Sequence, residues 1–511
     1  MRGDVPWYAS HKKFRRLTKR LRKRAVSGRK LTREALMEAL RNKNVLVVGL
    51  ARTGLAVAEF LLDQGARVTI TDHLPAEDLG PAADSALRLG CSLALGGHPA
   101  ELFTDADLIV VSPGVPLNLP QLQEARSKSV PIIGELELAS RFLKLPIVAI
   151  SGTNGKTTTT ELVGDMINRS GQRVFVGGNI GNPLVNLLRE KEDFDVAVVE
   201  VSSFQLDSMD TFHPQVAVLL NISEDHLDRY DSFSDYVESK CRLFSNQTAD
   251  DIAVVPARDP LIGVRCTIRS RQLNFSLSKQ SAHAYLESEQ LVCRVMPGPV
   301  RRYDLRHWQL VGSHNQQNLM AAVLAATCMG AKPEAIQKTV DNFKPLPHRL
   351  ELVHHWRGIR FYNDSKATNV DSVVRSLETF TAPIILLAGG RDKEGSYDPL
   401  TGLVRQRVKM LVLMGEARFR LAKTLGNLTC AVVVDDMEAA VPVALGAAAP
   451  GDVVLLSPAC SSFDHYENYK ARGDHFRSLV HKFTAMELFD ETTSCPWISA
   501  GRNKRKLNAH N

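Results

Sequence analysis

"VAISGTNGKTTTTELVG", residues 148–164, decides how the chain is read. A β-branched run forms a buried strand, a loop follows with Gly152 and Gly155, and from Lys156 the pattern turns helical. Glycines let backbone N–H groups turn onto an anion with no side chain in the way, and the next helix presents its positive end there. Lys156 is spaced to reach outer phosphates and Thr157 to sit on magnesium. The general pattern G-x-x-x-x-G-K-[ST] is not fully met, because Ile150 stands where its first glycine would fall. The strand before and the helix after carry the assignment of a phosphate loop. A plain glycine turn would leave Lys156 and the threonine run without a purpose.

Outward from this loop, strands and helices alternate. Upstream, "NVLVVGL", "TGLAVAEFLLDQG" and "RVTITD" form a strand–helix–strand unit with a glycine-containing first turn. Downstream, "RVFVGG", "FDVAVVEVSS" and "PQVAVLLNIS" are strands, and "HNQQNLMAAVLAATCMG" is a helix stopped at Gly330. After "PLPHRLE" a third series follows: "GIRFYND", "APIILLAGG", "KMLVLMG", "CAVVVDD" and "DVVLLSPA", closing in a helix near "DHFRSLVHKFTAMELF". The expectation is an α/β protein of three consecutive domains with mostly parallel sheets: Rossmann-like over 44–142, a P-loop-type ATPase over 143–344, and Rossmann-like again over 345–490. In such sheets ligands sit at the carboxyl ends of strands.

Bulk properties agree. A chain of 511 residues is long enough for about three domains, and 44% hydrophobic with 23% charged residues is ordinary for a globular protein. No apolar run approaches the ~20 residues of a spanning helix, and no apolar core follows the basic start as in a secretory signal. The eight cysteines are scattered without a C-x-x-C pair, so neither a zinc site nor a disulfide framework is expected, and a reducing cytosol fits. The net charge of +7 is uneven: residues 1–43 hold 15 Lys/Arg against Asp4, Glu34 and Glu38, a local +12 that leaves −5 for the rest. The block over 1–43 is expected to repel itself and stay disordered, as an inert or weakly electrostatic extension with anionic surfaces as its suited contact, and 491–511 forms a second, shorter basic tail.

Several strand ends carry chemistry. Glu200 closes the buried run "VVE", where a carboxylate is costly unless paired or on a metal. His226 stands in "NISEDHLDRY" among Glu224, Asp225 and Asp228; a structural histidine and a ligand are equally good readings. "FYNDSKATN", "LLAGGRDKEG" and "LLSPACSSFDHYENY" crowd small polar groups at three strand ends of the last domain. "GLARTG" with Asp72 about twenty residues on has the form of a dinucleotide fingerprint, but Ala51 replaces its middle glycine.

Taken together, "GTNGKTT", "GGNIG", "EVSSFQL", "EDHLDRY", "LPHRLE", "NDSKATN" and "LLSPACSSFD" resemble the Mur ligases over about residues 44–488, in the family's domain order. Among those ligases the set is most similar to the branch that adds D-glutamate to UDP-N-acetylmuramoyl-L-alanine. The resemblance implies an ATP-dependent amide ligase of cytoplasmic cell-wall precursor synthesis, acting through an acyl phosphate, with two magnesium ions. It implies ATP contacts from Gly152, Thr153, Asn154, Gly155, Lys156, Thr157, Thr158, Asn318, Arg349 and Asp364. It implies metal-holding by Thr157, Glu200, His226 and a carbamylated Lys240, which together with Lys156 form the catalytic set. Arg52, Thr53, Asp72, Asn179 and His226 correspond to contacts with the UDP substrate. Thr368, Lys393, Ser462 and Tyr469 correspond to the D-glutamate pocket. A monomer without a membrane span is implied. The chain departs from many relatives at Ala51, at Leu74 and in its basic arm.

Three other functions compete. A sibling ligase adding another amino acid would share the phosphate loop. An NAD-type oxidoreductase would use "GLARTG" but would leave the second loop, Glu200 and His226 unexplained. A nucleic-acid-binding role for the basic arm finds no aromatic interleaving to support it.

Overall fold

The computed structural model describes residues 33–485 apart from 228, 279–281 and 394. The tail over 491–511 and most of the basic arm lie outside the described residues. The arm's last part is helical over Arg33–Glu38, and Leu40 is already buried.

Three sheets follow in chain order. The first has five parallel strands in the spatial order Ser92–Leu95, Arg67–Asp72, Asn44–Val48, Leu108–Val111, Ile132–Gly134. Leu46, Val48, Ile109 and Val111 pack on one face against Phe103, Leu122 and Ala125. The second sheet has nine strands. In it Ile147–Ser151 runs between Val196–Glu200 and Val216–Leu219, all parallel and buried along their length. Such continuous apolar runs are what strands covered on both faces require. One edge departs from the parallel plan: Ala284–Glu287, Gln290–Cys293 and Arg301–Asp304 form an antiparallel meander. The third sheet has six strands, parallel except for the pair Glu351–Trp356 and Ile359–Asn363. Along Ile384–Gly389 the side chains alternate between two cores, Ile384 and Leu386 in one, Ile385 and Leu387 in the other. Among the described residues no helix is long and apolar enough to cross a membrane.

These elements gather into two compact units. Among the described residues, those up to Ile222, Ser234–His307 and Gln317–Asp341 form one; Ser223–Phe233, Trp308–Gln316 and those from Asn342 on form the other. The segment that carries His226 therefore packs with the C-terminal sheet, although it follows a strand of the central one.

The cysteine expectation needs correction. Cys241 and Cys266 are disulfide-bonded, with Cα atoms 4.9 Å apart. Twenty-five residues separate them, but helices Phe233–Cys241 and Pro260–Arg265 both end at this point. Scatter along the chain says nothing about such convergence. The pair also removes the cysteine argument for a reducing compartment.

Within the first unit, two carboxylates brace the approach to the central strand. Glu137 accepts from the backbone N–H of Asp210, Thr211 and Phe212 at 2.9 Å each and pairs with Arg141 at 2.5 Å. Glu135 is also buried, and its Oε1 accepts from the Val185 N–H at 2.7 Å. Burial pushes the Glu135 carboxyl from 4.5 up to about 7. The folded chain thus keeps a proton that the unfolded chain releases. This contribution to stability is present below about pH 4.5 and is lost as the pH rises through about 7. Glu135→Gln should therefore gain on the wild type by up to about 3 kcal/mol between pH 5 and pH 8. Urea unfolding at the two pH values measures it, and a pH-independent difference would contradict it.

Candidate active site

The phosphate loop leaves strand Ile147–Ser151 and enters helix Lys156–Arg169 through Gly155, whose φ of 86° is left-handed. A side chain at Gly155 would run into Asn318, since a Cβ there would lie 2.2 Å from Asn318 Oδ1. Asn318 is therefore brought against the loop. Lys156 Nζ curls back to donate to the carbonyls of Gly152 (2.9 Å) and Thr153 (2.7 Å). Two residues that sequence reading passed over hold the loop's shape. Asn221, just past strand Val216–Leu219, accepts from Asn154 N at 2.9 Å and donates to Asn154 O at 3.0 Å. Tyr236 lies with its hydroxyl 3.1 Å from Thr153 Oγ1.

Register explains how Glu200 arrives. It pairs with Ile150 on one side and Gly178 on the other, so its side chain emerges at the level of the loop. Thr157 Oγ1 donates to Glu200 Oε2 at 2.8 Å, and Asn179 Nδ2 donates to Oε1 at 2.9 Å. Gly178 must lack a side chain, because a Cβ would sit 2.4 Å from the Glu200 carbonyl. Glu200 and Thr157 present oxygen atoms beside a phosphate loop, the donor chemistry magnesium favours. Among the described residues no three His, Cys, Asp or Glu side chains gather as a metal set. A cation there would draw the rest of its shell from phosphate and water, as is usual for magnesium.

Lys240 lies on helix Phe233–Cys241 and is buried. Its Nζ donates to Gly152 O at 3.0 Å and Ser151 Oγ at 3.4 Å, and stands 5.3 Å from the centre of the Tyr236 ring. The sequence alone would place it on the surface; the fold turns it onto the loop.

In the first sheet, Arg52 and Thr53 open the helix Arg52–Asp63 after a turn at Gly49 with φ of 97°. Asp72, at the end of its strand, accepts from Leu50 N at 2.7 Å and from Leu74 N at 3.0 Å. It pins the turn from below. Gly54 lets the helix pack closely on the turn, since a Cβ there would lie 2.0 Å from Gly49 O. Ala51 and Arg52 remain exposed.

In the C-terminal unit, Arg349 lies between His348 and Leu350, which have left-handed φ of 64° and 42°. Such backbone persists only when its surroundings hold it. His348 N donates to Glu351 Oε2 at 2.9 Å, and Leu350 N donates to Asp364 Oδ1 at 3.2 Å. Asp364 also accepts from Ser376 (2.5 Å) and Ser457 (3.0 Å), and burial pushes its carboxyl up to about 6. It shapes the strand ends from within. Arg472, fully buried, ties two polar stretches together: it donates to Ser365 O (2.9 Å), Ser365 Oγ (3.0 Å), Cys460 O (3.2 Å) and Ser461 O (3.1 Å). Ser462, the residue after Ser461, is also buried, and Lys366 Nζ covers the Tyr469 ring at 3.9 Å. A cavity of about 300 Å³ opens beside these loops, with His226, Asn369 and Lys393 in its wall. Thr368, Ser462 and Tyr469 are not among its described walls. His226 has φ of 57°. Asp228 lies outside the described residues.

The architecture has known counterparts. The chain matches the family model of the Mur ligase MurD-like N-terminal domain over 43–134, the Mur ligase middle domain over 150–326, and the Mur ligase glutamate ligase domain over 348–460. It is 47% identical over 442 residues to the UDP-N-acetylmuramoylalanine--D-glutamate ligase of Geotalea daltonii, covering 86% of this chain and 98% of that protein. With the ligase of the same name from Desulfosudis oleivorans it shares 48% over 443 residues, 86% of this chain and 96% of that one. The chain belongs to the Mur ligase family. Among solved structures, a MurF ligase from Thermotoga maritima in complex with ADP superposes with a TM-score of 0.56 at 15% identity, over 82% of this chain and 95% of that one. The UDP-N-acetylmuramate-alanine ligase of the same organism gives 0.54 at 19%, over 87% and 100%. At such identity these two show the fold alone. As a Mur ligase, the chain has the expected α/β class, with the antiparallel meander and edge strand as additions.

Asn221, Tyr236 and Arg472 were not anticipated in this Mur ligase. Asn221 and Tyr236 reach the loop from other strands and helices, and nothing local marks them. Arg472 had a signal: it falls on the apolar stripe of helix Tyr469–Ala485 with Phe476, Leu479 and Val480. A charge on a buried stripe needs partners.

Proposed function

We infer that the chain is an ATP-dependent ligase that adds D-glutamate to UDP-N-acetylmuramoyl-L-alanine, releasing ADP and phosphate, in cytoplasmic peptidoglycan precursor synthesis. The observation that carries this is near-half identity over almost the full length of ligases bearing that name. The geometry of the phosphate loop fits the chemistry. A carboxylate resists an amine until one of its oxygens becomes a leaving group. Transfer of the ATP γ-phosphate to the L-alanyl carboxylate makes an acyl phosphate. The amine of D-glutamate attacks its carbonyl carbon, and phosphate departs from the tetrahedral intermediate.

The residues divide as follows in this reading. Gly152 to Thr158 cradle the phosphates, Lys156 turns from its loop carbonyls to the outer phosphate, and Asn318, Arg349 and Asp364 hold or shape the rest of the nucleotide site. Magnesium, when bound, neutralises crowded phosphate oxygens. Thr157 and Glu200 would hold one ion; His226 and Lys240 would hold the second. A lysine ammonium cannot ligate a cation, so Lys240 would serve as a carbamate, formed when its neutral amine takes up carbon dioxide and releases a proton. Arg52, Thr53, Asp72, Asn179 and His226 contact the UDP substrate, and Thr368, Lys393, Ser462 and Tyr469 the D-glutamate. The domain division at 44–142, 143–344 and 345–490 and a monomeric state complete the proposal. Anionic surfaces remain the suited partner of the basic arm.

Phosphate release tests it. With ATP, magnesium and UDP-N-acetylmuramoyl-L-alanine, D-glutamate should exceed L-glutamate, L-alanine and meso-diaminopimelate by about 10²-fold or more in kcat/KM. Turnover with a different amino acid and none with D-glutamate would move the chain to a sibling activity.

A further inference from the structure

The cavity of about 300 Å³ in the C-terminal unit is lined by four carboxylates, from Glu224, Asp225, Asp371 and Asp392. Two are neutralised from outside. Arg375 Nε donates to Asp371 at 2.8 Å, and Arg420 NH1 donates to both oxygens of Asp392 at 2.6 and 2.7 Å. Glu224 is exposed to solvent. Asp225 is different. Its side chain is only 9% exposed, and it pairs inside the cavity with Lys393, the only lysine in the described wall, at 3.2 Å. Asn369 Nδ2 donates to its other oxygen at 2.9 Å.

This ion pair, its carboxylate buried and its lysine partly open to solvent, offers one negative and one positive pole side by side in the wall of a small cavity. An amino acid with an acidic side chain carries both complements: an ammonium and carboxylates. A ligand that brought carboxylates alone would meet Asp225 as a like charge beside Lys393, which is unfavourable at such short range. We propose that Asp225 receives the amino group of the incoming amino acid. Its carboxylate exchanges the Lys393 ammonium for that of the substrate, and Lys393 turns to a substrate carboxylate. Asn369 holds the second oxygen of Asp225 throughout, so the carboxylate keeps its orientation during the exchange. Both charges stay paired at every stage, which removes the penalty of a lone buried ion. Asp225 is then a binding residue that separates amino acids from plain dicarboxylates. This rests on reading the cavity as the D-glutamate site.

Glutarate, which is D-glutamate without its amine, is the probe. In the wild-type chain the ratio of the glutarate inhibition constant to the D-glutamate KM should be about tenfold or more. In Asp225→Asn that ratio should fall towards one, through a raised KM for D-glutamate with the glutarate constant unchanged or lowered. A ratio that survives the substitution, or a wild-type ratio near one, would overturn the proposal. If Asp225→Asn does not fold, the wild-type ratio still decides, and Asp225→Glu, which keeps the charge, should retain the preference; its loss there would also count against the idea. Failure of the underlying reading looks different: no phosphate is released with D-glutamate by the wild type at all.

Discussion

Lys156→Ala should abolish ADP formation, a fall of about 10³-fold or more in kcat/KM, while the chain stays folded. The two halves of this expectation come from different contacts. The lysine donates to carbonyls of its own loop, Gly152 and Thr153. Losing two such bonds at a half-buried site costs about 1–3 kcal/mol. The loop backbone keeps its other supports, the paired hydrogen bonds to Asn221 and the Tyr236 hydroxyl on Thr153. The charge itself is not replaceable: developing negative charge on a transferring phosphoryl group needs a preorganised cation. ADP release and thermal unfolding, measured on the same preparation, check it. Near-normal turnover would remove the loop from the chemistry.

Lys240→Ala should be nearly inactive, by about 10²-fold or more, and short carboxylates such as formate or acetate should partly restore it. The buried side chain stands among a carbonyl, a hydroxyl and an aromatic face. Truncation leaves a cavity at that spot, with room for a small anion. If the working form is a carbamate, a carboxylate of similar shape can replace it. If the working form is the ammonium, added carboxylate would do nothing and a small amine would be the effective rescuer. Full activity in the unsupplemented variant would end both readings.

Much of this was legible in the chain, and the limits have physical causes. The central strand, the glycines of the loop and the helix after it are local, and "RVTITD" forms its strand over its whole length. Glu200 was legible because a carboxylate at the end of a buried apolar run needs a reason. What stayed hidden depends on convergence. Asn221 is one polar residue after a strand, and its register against Ile147–Ser151 brings it to the loop. The meander over Ala284–Asp304 has strands of four residues each, too short for alternation to declare itself. Asp72 has the position of a ribose reader, yet both its oxygens accept backbone N–H groups of neighbouring turns. The bond between Cys241 and Cys266 could be seen only once two helix ends were placed together.

The membership of Ser223–Phe233 in the C-terminal unit bears on anyone who wishes to express the pieces of this enzyme separately. A cut near residue 344 looks natural on the linear map, but it would strip Asp225 from Lys393 and Asn369 and leave the C-terminal fragment with a breached cavity wall. Neither fragment would carry this cavity with its wall intact, so mixing them, or tethering residues 223–233 back onto the shorter one, would be needed to rebuild it.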